Sequence, residues 1–234
     1  MAAFSEIDSA TTPAVSGEQM REVDRIMIED LRIELMQMME NAGRNLARLA
    51  VRRFSPDRVV VLAGSGGNGG GGMVAARHLA NWGVPVAVVL GQDRERVGSV
   101  PGHQLNVLER MGVAIIADPE PADLIVDALI GYSLRGHPRG RIARLIEWTG
   151  EQAADVLSLD NPSGLDVTSG ITVDPCISAT ATLTLAAPKS GLLGTDEVGE
   201  LYLADISVPP AVYRAFGMTM PAGVFAEDTV VRLI

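Results

Sequence analysis

The feature that most constrains this chain is an apolar run that leads directly into a glycine-rich turn. Residues 58–63 read Arg-Val-Val-Val-Leu-Ala, and residues 64–72 contain seven glycines in nine positions. A continuous apolar run is typical of a parallel strand that is buried on both faces. Glycines let the backbone approach a ligand closely, and a helix N-terminus behind them presents free N–H groups to an anion. We therefore predict a strand, a turn and a helix that form an anion site, rather than a merely flexible turn.

Further apolar runs alternate with helical patterns along the chain. The predicted strands are residues 84–90, 113–116, 123–129, 156–160, 180–186 and 201–205, and the predicted helices after the glycines are residues 72–82, 104–111 and 139–148. Such alternation predicts a parallel sheet that is covered by helices on both faces. The strand at 201–205 is the last one predicted, with an antiparallel position at one edge as an option.

The N-terminal part divides into a tail and two helices. Residues 1–15 are small and polar, which predicts a disordered tail. Ser16 and Gln19 have the spacing of a capping box, which predicts that a helix begins there. A second helix is predicted over residues 34–53. With no linker or repeat in the remainder, we expect residues 16–234 to form a single domain.

Composition excludes several classes of partner. The net charge of −10 argues against nucleic acid, which requires a basic face. No apolar run approaches the roughly 18 residues of a membrane span. The single cysteine precludes an internal disulfide, and the N-terminus does not resemble a signal peptide. Together these features predict a cytoplasmic protein that does not associate with membranes.

Polar residues follow three of the predicted strands. Asp127, Asp160 and Lys189 each lie at or just after a strand end, where open α/β sheets bind their ligands. A turn-capping role for Asp160 and a surface position for Lys189 remain alternatives. The loop after Asp127 carries Arg135 and His137, for which a solvated loop is the alternative. The chain lacks a Walker lysine, a zinc cluster and a nucleophile elbow.

Six ordered motifs resemble the NAD(P)H-hydrate epimerase family, a domain also called the YjeF N-terminal domain. The resemblance extends from about residue 16 to residue 210. Its motifs are Met-Glu-Asn-Ala-Gly at 39–43, the glycine run at 64–72, Val-Asp-Ala-Leu-Ile-Gly at 126–131, Asp-Asn-Pro-Ser-Gly-Leu-Asp at 160–166, Ala-Pro-Lys-Ser-Gly-Leu at 187–192 and Ala-Asp-Ile-Ser-Val-Pro-Pro at 204–210. Several motifs in a consistent order are more specific than any one of them.

The resemblance implies a three-layer α/β/α Rossmann-like sandwich with a mostly parallel sheet and N-terminal helices, and it implies a homodimer. It also implies an isomerase of metabolite repair, which epimerises the R and S forms of hydrated NADH or NADPH and works with a separate dehydratase.

The implied site residues fall into three groups. Asp160 is the implied acid/base. A potassium ion is implied at Asn68, Asp127 and Ser163, all of which offer the oxygen ligands that a hard cation prefers. The implied substrate contacts are Gly67, Asn68, Gly69, Gly70, Gly71, Gly131, Tyr132, Ser133, Leu134, Arg135, Gly136, His137 and Asp160.

The chain departs from the family pattern at three positions. Gly67 and Gly71 stand where the family carries Asn and Asp, and Asn161 stands where it usually has an apolar residue. These departures motivate an alternative, a non-catalytic nucleotide-binding or interaction module on the same fold. A dehydrogenase is a weaker alternative, because no acid ends the strand after the glycines to hold a ribose.

Overall fold

A single mixed sheet organises the computed structural model, which describes residues 4–234. Its strands are β1 (Ser5–Ile7), β2 (Val59–Ala63), β3 (Val86–Leu90), β4 (Ala114–Ile116), β5 (Leu124–Ala128), β6 (Asp155–Leu159), β7 (Ala181–Leu185), β8 (Glu200–Ala204) and β9 (Val230–Leu233). They lie in the order β1-β9-β8-β7-β6-β5-β2-β3-β4. Every neighbouring pair is parallel except β8 and β9, which are antiparallel.

Helices cover both faces of this sheet. They are α1 (Gly17–Arg25), α2 (Leu35–Leu49), α3 (Gly67–Asn81), α4 (Ser99–Met111), α5 (Gly140–Gly150) and α6 (Pro210–Ala215). Val59 and Val61 of β2 pack with α2, α3 and α4, whereas Val60 and Leu62 pack with α5 on the other face. The alternating side chains of one strand therefore fill both cores, which is why that stretch of sequence is apolar without interruption. The predicted three-layer α/β/α architecture is confirmed.

Helix α3 begins at Gly67, five residues before the predicted start, so most of the glycine run is helical. These glycines serve close packing. A Cβ atom at Gly69 would lie 1.8 Å from the Gly64 carbonyl oxygen, and one at Gly70 would lie 2.5 Å from Cε of Met39 on α2. Glycine is a poor helix former, but here tertiary packing overrides local propensity. The glycine run thus both brings α2 and α3 close together and opens the helix N-terminus to the site.

The N-terminal segment and the far edge of the sheet differ from the prediction. Residues 1–3 of the predicted disordered tail lie outside the described residues, but Ser5–Ile7 form β1 and Val15 is fully buried. The strand predicted at 201–205 is β8, which is neither last nor at an edge. It pairs in parallel with β7, and the antiparallel partner is β9, near the C-terminus. Strand β1 then covers β9, so the tail is ordered because its backbone completes the sheet.

Two local expectations have clear outcomes. The capping box is confirmed, because the Ser16 hydroxyl accepts from the Gln19 N–H at 3.1 Å and the Ser16 N–H donates to Oε1 of Gln19 at 2.8 Å. Within residues 4–234, every helix is too short or too polar to cross a bilayer. The single domain over residues 16–234 stays a prediction.

Candidate functional site

The candidate site lies at the carboxyl edge of the sheet, between β2 and β5. The chain leaves β2 for β3 on one side, while β5 pairs with β2 on the other side. The loop that follows β2 and the loop that follows β5 therefore diverge at this point. Open parallel sheets place their ligand crevices at such points. A cavity of about 700 Å³ opens here, and helices α1 and α2 form part of its wall.

The cavity has an apolar wall and a polar wall. Methionine and aliphatic side chains supply the apolar wall: Met20, Ile28, Leu35, Met38, Met39, Leu129, Ile130, Ile142, Leu159, Leu185 and Ile206. The polar wall consists of Asp24, Ser65, Asn68, Gln92, Tyr132, Ser133 and Asp160. A mostly apolar cavity with a few convergent polar groups is the usual form of a small-molecule site.

The structure brings together only part of the predicted substrate-contact set. The predicted contacts that line the cavity are Gly67, Asn68, Gly71, Gly131, Tyr132, Ser133 and Asp160. Six predicted contacts do not line the cavity. Gly69 packs against the Gly64 backbone and Gly70 against Met39 of α2. The other four lie farther along the loop: Leu134, Arg135, Gly136 and His137. His137 is exposed and its Nδ1 lies 2.9 Å from the Asp174 carbonyl oxygen. The binding roles of all these residues stay predictions.

Asp127 is the single acidic residue of β5, and it is fully buried. Its Oδ1 accepts from the Ser163 hydroxyl at 2.6 Å and from the Leu129 N–H at 3.2 Å. Its Oδ2 accepts from the Ser163 N–H at 2.8 Å and from the Ser158 hydroxyl at 2.9 Å. Burial raises the pKa of Asp127, and these hydrogen bonds only partly oppose the shift.

Asn68 lies in the first turn of α3 and has an unpaired atom. Its buried Nδ2 has no hydrogen-bond partner among residues 4–234. Gly131 faces it so closely that a Cβ atom there would lie 3.3 Å from Cγ of Asn68. A buried polar group without a partner in a native protein calls for an explanation such as a bound ion or water. Rotating the amide by 180° would present its oxygen at the same buried position.

Asn68, Asp127 and Ser163 have the donor types that suit a hard monovalent cation. Asp127 makes no ion pair with lysine, arginine or histidine in the described part of the chain, so its buried negative charge lacks a counter-charge. Asn68 and Ser163 add neutral oxygen atoms, the donor type that such a cation takes. The Ser163 hydroxyl also accepts from the Ile130 N–H at 2.9 Å, which fixes the loop after β5. Within residues 4–234, there is no group of three or more His, Cys, Asp or Glu residues that could hold a metal ion.

Asp160 follows β6 and forms a buried ion pair with Lys189. The backbone of Asp160 is left-handed, with φ of 69°, and its N–H donates to the Leu183 carbonyl at 2.8 Å. Its Oδ1 accepts from Nζ of Lys189, and its Oδ2 accepts from the Tyr132 N–H at 3.1 Å. Contacts with Leu183, Lys189 and Tyr132 thus stabilise the left-handed turn, and the Asp160 carboxylate lines the cavity.

Lys189 is fully buried, so the surface position considered for it is wrong. Besides Asp160, its Nζ donates to Oγ1 of Thr184 at 3.1 Å and to the Leu185 carbonyl at 2.9 Å. The sequence indicated that Lys189 could contact a ligand or a carboxylate, because it is the chain's only lysine and follows a strand end. Sequence reasoning identified the residue but could not pair it with Asp160.

Sequence reasoning missed three polar residues that line the cavity, Asp24, Ser65 and Gln92, and Asp24 is the only acid among them. It lies on α1, and its Oδ2 accepts from the Tyr132 hydroxyl at 2.5 Å. Burial raises the pKa of Asp24, the Tyr132 hydroxyl opposes that shift, and the charge of Asp160 adds to it. No motif marks this aspartate, because its partner is 108 residues away in sequence.

Comparisons with known proteins identify the family to which the chain belongs. The family model described as "YjeF-related protein N-terminus" matches residues 35–191. A protein of Dehalogenimonas lykanthroporepellens named "NAD(P)H-hydrate epimerase" is 46% identical, over 98% of this chain and 96% of its own length. A "Bifunctional NAD(P)H-hydrate repair enzyme Nnr" of Hyperthermus butylicus is 38% identical over 83% of this chain, which spans 39% of that protein.

The solved structure of yeast ynu0 superposes with a TM-score of 0.85 at 26% identity, covering 94% of this chain and 100% of the yeast chain. The family match spans more than half of the residues, and the sequence relative spans almost the whole chain. The resemblance stated from the motifs is confirmed, and the chain belongs to the YjeF-related N-terminus family, which includes the NAD(P)H-hydrate epimerases.

Proposed function

We propose that this protein is an isomerase that interconverts the R and S forms of hydrated NADH and NADPH in the cavity at the carboxyl edge of its sheet. The observation that carries the proposal is the Asp160 carboxylate, which faces an apolar cavity beside the N-terminus of α3. The near full-length relative named as an NAD(P)H-hydrate epimerase supports the same activity.

The chemistry needs few protein groups. The hydroxyl-bearing ring carbon of the substrate is bonded to nitrogen, whose lone pair can expel the hydroxyl group and leave a planar iminium. Water then returns to either face. Asp160 can exchange a proton with the departing hydroxyl or the incoming water. The free N–H groups at the start of α3 favour an anion such as the substrate's phosphates.

Incubating one purified epimer with the protein, and following both epimers by chromatography, tests this function. We expect the mixture to reach equilibrium faster than in buffer alone. We expect Asp160→Asn to lose most of the rate while still binding the nucleotide, because the amide keeps the shape but cannot carry the proton. An epimer ratio that changes no faster than in buffer would overturn the proposal.

A non-catalytic nucleotide-binding module remains the second candidate because Gly67 and Gly71 lack the polar side chains of the family pattern. Gly71 lines the cavity, and a Cβ atom there would lie 2.7 Å from Cδ2 of Leu159, a flexible side-chain end. This candidate predicts nucleotide-dependent thermal stabilisation without turnover. Gly71→Asp would then raise activity from zero if the missing carboxylate explains the deficit.

We further propose that potassium binds at Asn68, Asp127 and Ser163. When bound, the cation would neutralise the buried Asp127 charge and order the mouth of the cavity. The support is the uncompensated carboxylate together with the unpaired amide of Asn68. Melting temperatures in potassium and in choline chloride of equal ionic strength test this. We expect a higher value in potassium for the wild type and no difference for Asp127→Asn. Equal values for the wild type would overturn it.

We also propose the setting in which the protein works. The resemblance supports a homodimer that acts beside a separate dehydratase. The single cysteine is compatible with a cytoplasmic setting. The bifunctional relatives named as repair enzymes support the dehydratase, because this chain spans only about two fifths of their length. Analytical ultracentrifugation tests the dimer, and restoration of NADPH from both epimers by a mixture with a dehydratase tests the partnership.

A further inference from the structure

The cavity contains a second carboxylate that the proposed mechanism leaves without a role. Asp24 reaches the cavity from helix α1, whereas Asp160 reaches it from the end of β6. Tyr132 lies between them, because its N–H donates to Asp160 and its hydroxyl donates to Asp24. The two carboxylates therefore come from different elements, and about the length of one tyrosine side chain separates them.

Epimerisation requires proton transfer on both faces of the ring, which a single carboxylate held in place serves poorly. The iminium is planar, so the hydroxyl leaves from one face of the ring and water must return to the opposite face for the configuration to invert. A general acid or base must lie within hydrogen-bond reach of the oxygen it serves. Two carboxylates that are held apart can serve the two faces, whereas a single carboxylate held in place serves only the face that it contacts.

We propose that Asp24 is a second catalytic residue of the epimerase reaction, serving the ring face opposite to the one that Asp160 serves. This inference rests on the proposed function. In one direction the Asp24 carboxyl gives its proton to the hydroxyl oxygen, the C–O bond breaks with both electrons going to oxygen, and water leaves. The nitrogen lone pair forms the C=N bond. A water oxygen then attacks the opposite face, the π electrons return to nitrogen, and the released proton goes to Asp160.

The reverse direction uses the same two residues with their roles exchanged, so it restores their protons. Between turnovers in one direction, protons exchange with water through the open mouth of the cavity. The Tyr132 hydroxyl donates to the Asp24 carboxylate after the proton has left, which stabilises the charge that forms there.

The surroundings of Asp24 suit a residue that carries a proton. It is only partly exposed, and burial, with a contribution from the charge of Asp160, raises its pKa. The charged and titratable groups that face it are Tyr132, Asp160 and Lys189, and Arg21 lies 5.9 Å from the Tyr132 ring centroid. Asp160 has a different environment, because its Oδ1 contacts the buried ammonium of Lys189. Pairs of acids in different environments are typical of sites that divide acid and base work.

Exchange of the substrate hydroxyl with ¹⁸O-labelled water separates the two faces. Loss and return of water on the same face labels an epimer without inverting it, and this needs only the residue on that face. We expect Asp24→Asn to remove label exchange from one epimer and leave it in the other, and Asp160→Asn to give the reverse pattern. Both variants should slow epimerisation by about 10²-fold or more, the usual contribution of a general acid or base.

Glu18→Gln is the matched control, because Glu18 lies on the same helix and is exposed. It should retain the wild-type rates. Tyr132→Phe keeps the ring and removes the hydroxyl, so it should slow exchange at the Asp24 face only. The rate at which Asp24 donates its proton should also fall as pH rises through its raised pKa, and this dependence should be absent in Asp24→Asn.

Three results would overturn the assignment. They are an Asp24→Asn rate within about threefold of wild type, equal loss of label exchange from both epimers, and loss of nucleotide binding in place of turnover. If the wild type epimerises and any of these is observed, the Asp24 assignment alone fails. If the wild type neither epimerises nor exchanges label, the proposed function fails and the assignment fails with it.

Discussion

The buried ion pair between Asp160 and Lys189 is the interaction whose removal has the most predictable cost. The Lys189 side chain is 0% exposed and that of Asp160 is 5% exposed, so neither charge can be solvated in place. Lys189→Met keeps the volume and removes the ammonium, which leaves the carboxylate buried without its partner. Breaking a buried pair in this way costs about 3–5 kcal/mol of unfolding free energy. For a chain of this size, about 2–4 °C of melting temperature is lost per kcal/mol, so we expect a decrease of about 6–20 °C.

Urea denaturation of a double-mutant cycle measures this energy directly. The double variant of Lys189→Met with Asp160→Asn removes both charges, so it should recover at least about 2 kcal/mol relative to the sum of the single variants. Arg94→Met is the control, because the pair of Arg94 with Glu109 is exposed and its loss should change the melting temperature little. Two results would refute the view that these charges depend on each other. One is a loss of less than about 1 kcal/mol of unfolding free energy in Lys189→Met, and the other is a double variant whose loss equals the sum of the two single losses.

Three further outcomes follow from the structure. Gly69→Ala should greatly lower the melting temperature, because its Cβ would overlap the Gly64 carbonyl. Gly67→Ala should leave the melting temperature unchanged, because its Cβ would meet nothing within 4 Å. Similar melting temperatures for both variants would contradict the packing role. Ser163→Ala should lower the unfolding free energy in urea by about 1–3 kcal/mol, because it leaves the Ile130 N–H without its acceptor. An unchanged unfolding free energy would mean that another acceptor replaces the hydroxyl. Because burial raises the pKa of Asp127, its contribution to stability is largest below the ordinary Asp pKa and is lost as pH rises through the raised one. In potassium-free buffer, the melting temperature of wild type relative to Asp127→Asn should therefore fall over that range, and a rise would refute the sign.

The sequence predicted the sheet and the edge at which the site lies because both depend on local patterns. The apolar run at 59–63 and the strand at 124–128 are where hydrophobicity placed them, within one or two residues. All parallel strands next to β5 end at the same edge, so residues at strand ends were expected near each other. The ordered motifs then identified the family, which the comparisons confirmed.

The errors arose where backbone pairing or packing across the fold decided the outcome. Strand β1 has only three residues and a weak pattern, whereas β9 is the apolar segment Val-Val-Arg-Leu, which the sequence analysis left unassigned. Both complete the sheet beyond β8. The start of α3 was misplaced because its glycines are helical only through their contacts with α2 and with Gly64. Helix propensity depends only on the local sequence, so it cannot predict either contact.

By itself, the sequence of this protein determined the three-layer sheet and the site edge, and it predicted Asp127, Asp160 and Ser163 as site residues. Only the tertiary structure decided which charges meet. It paired the single lysine with Asp160 across 29 residues and brought Asp24 to Tyr132 across 108 residues. Hydrophobic periodicity records which face of an element is buried, but a buried charge is stable only beside a partner that the fold supplies.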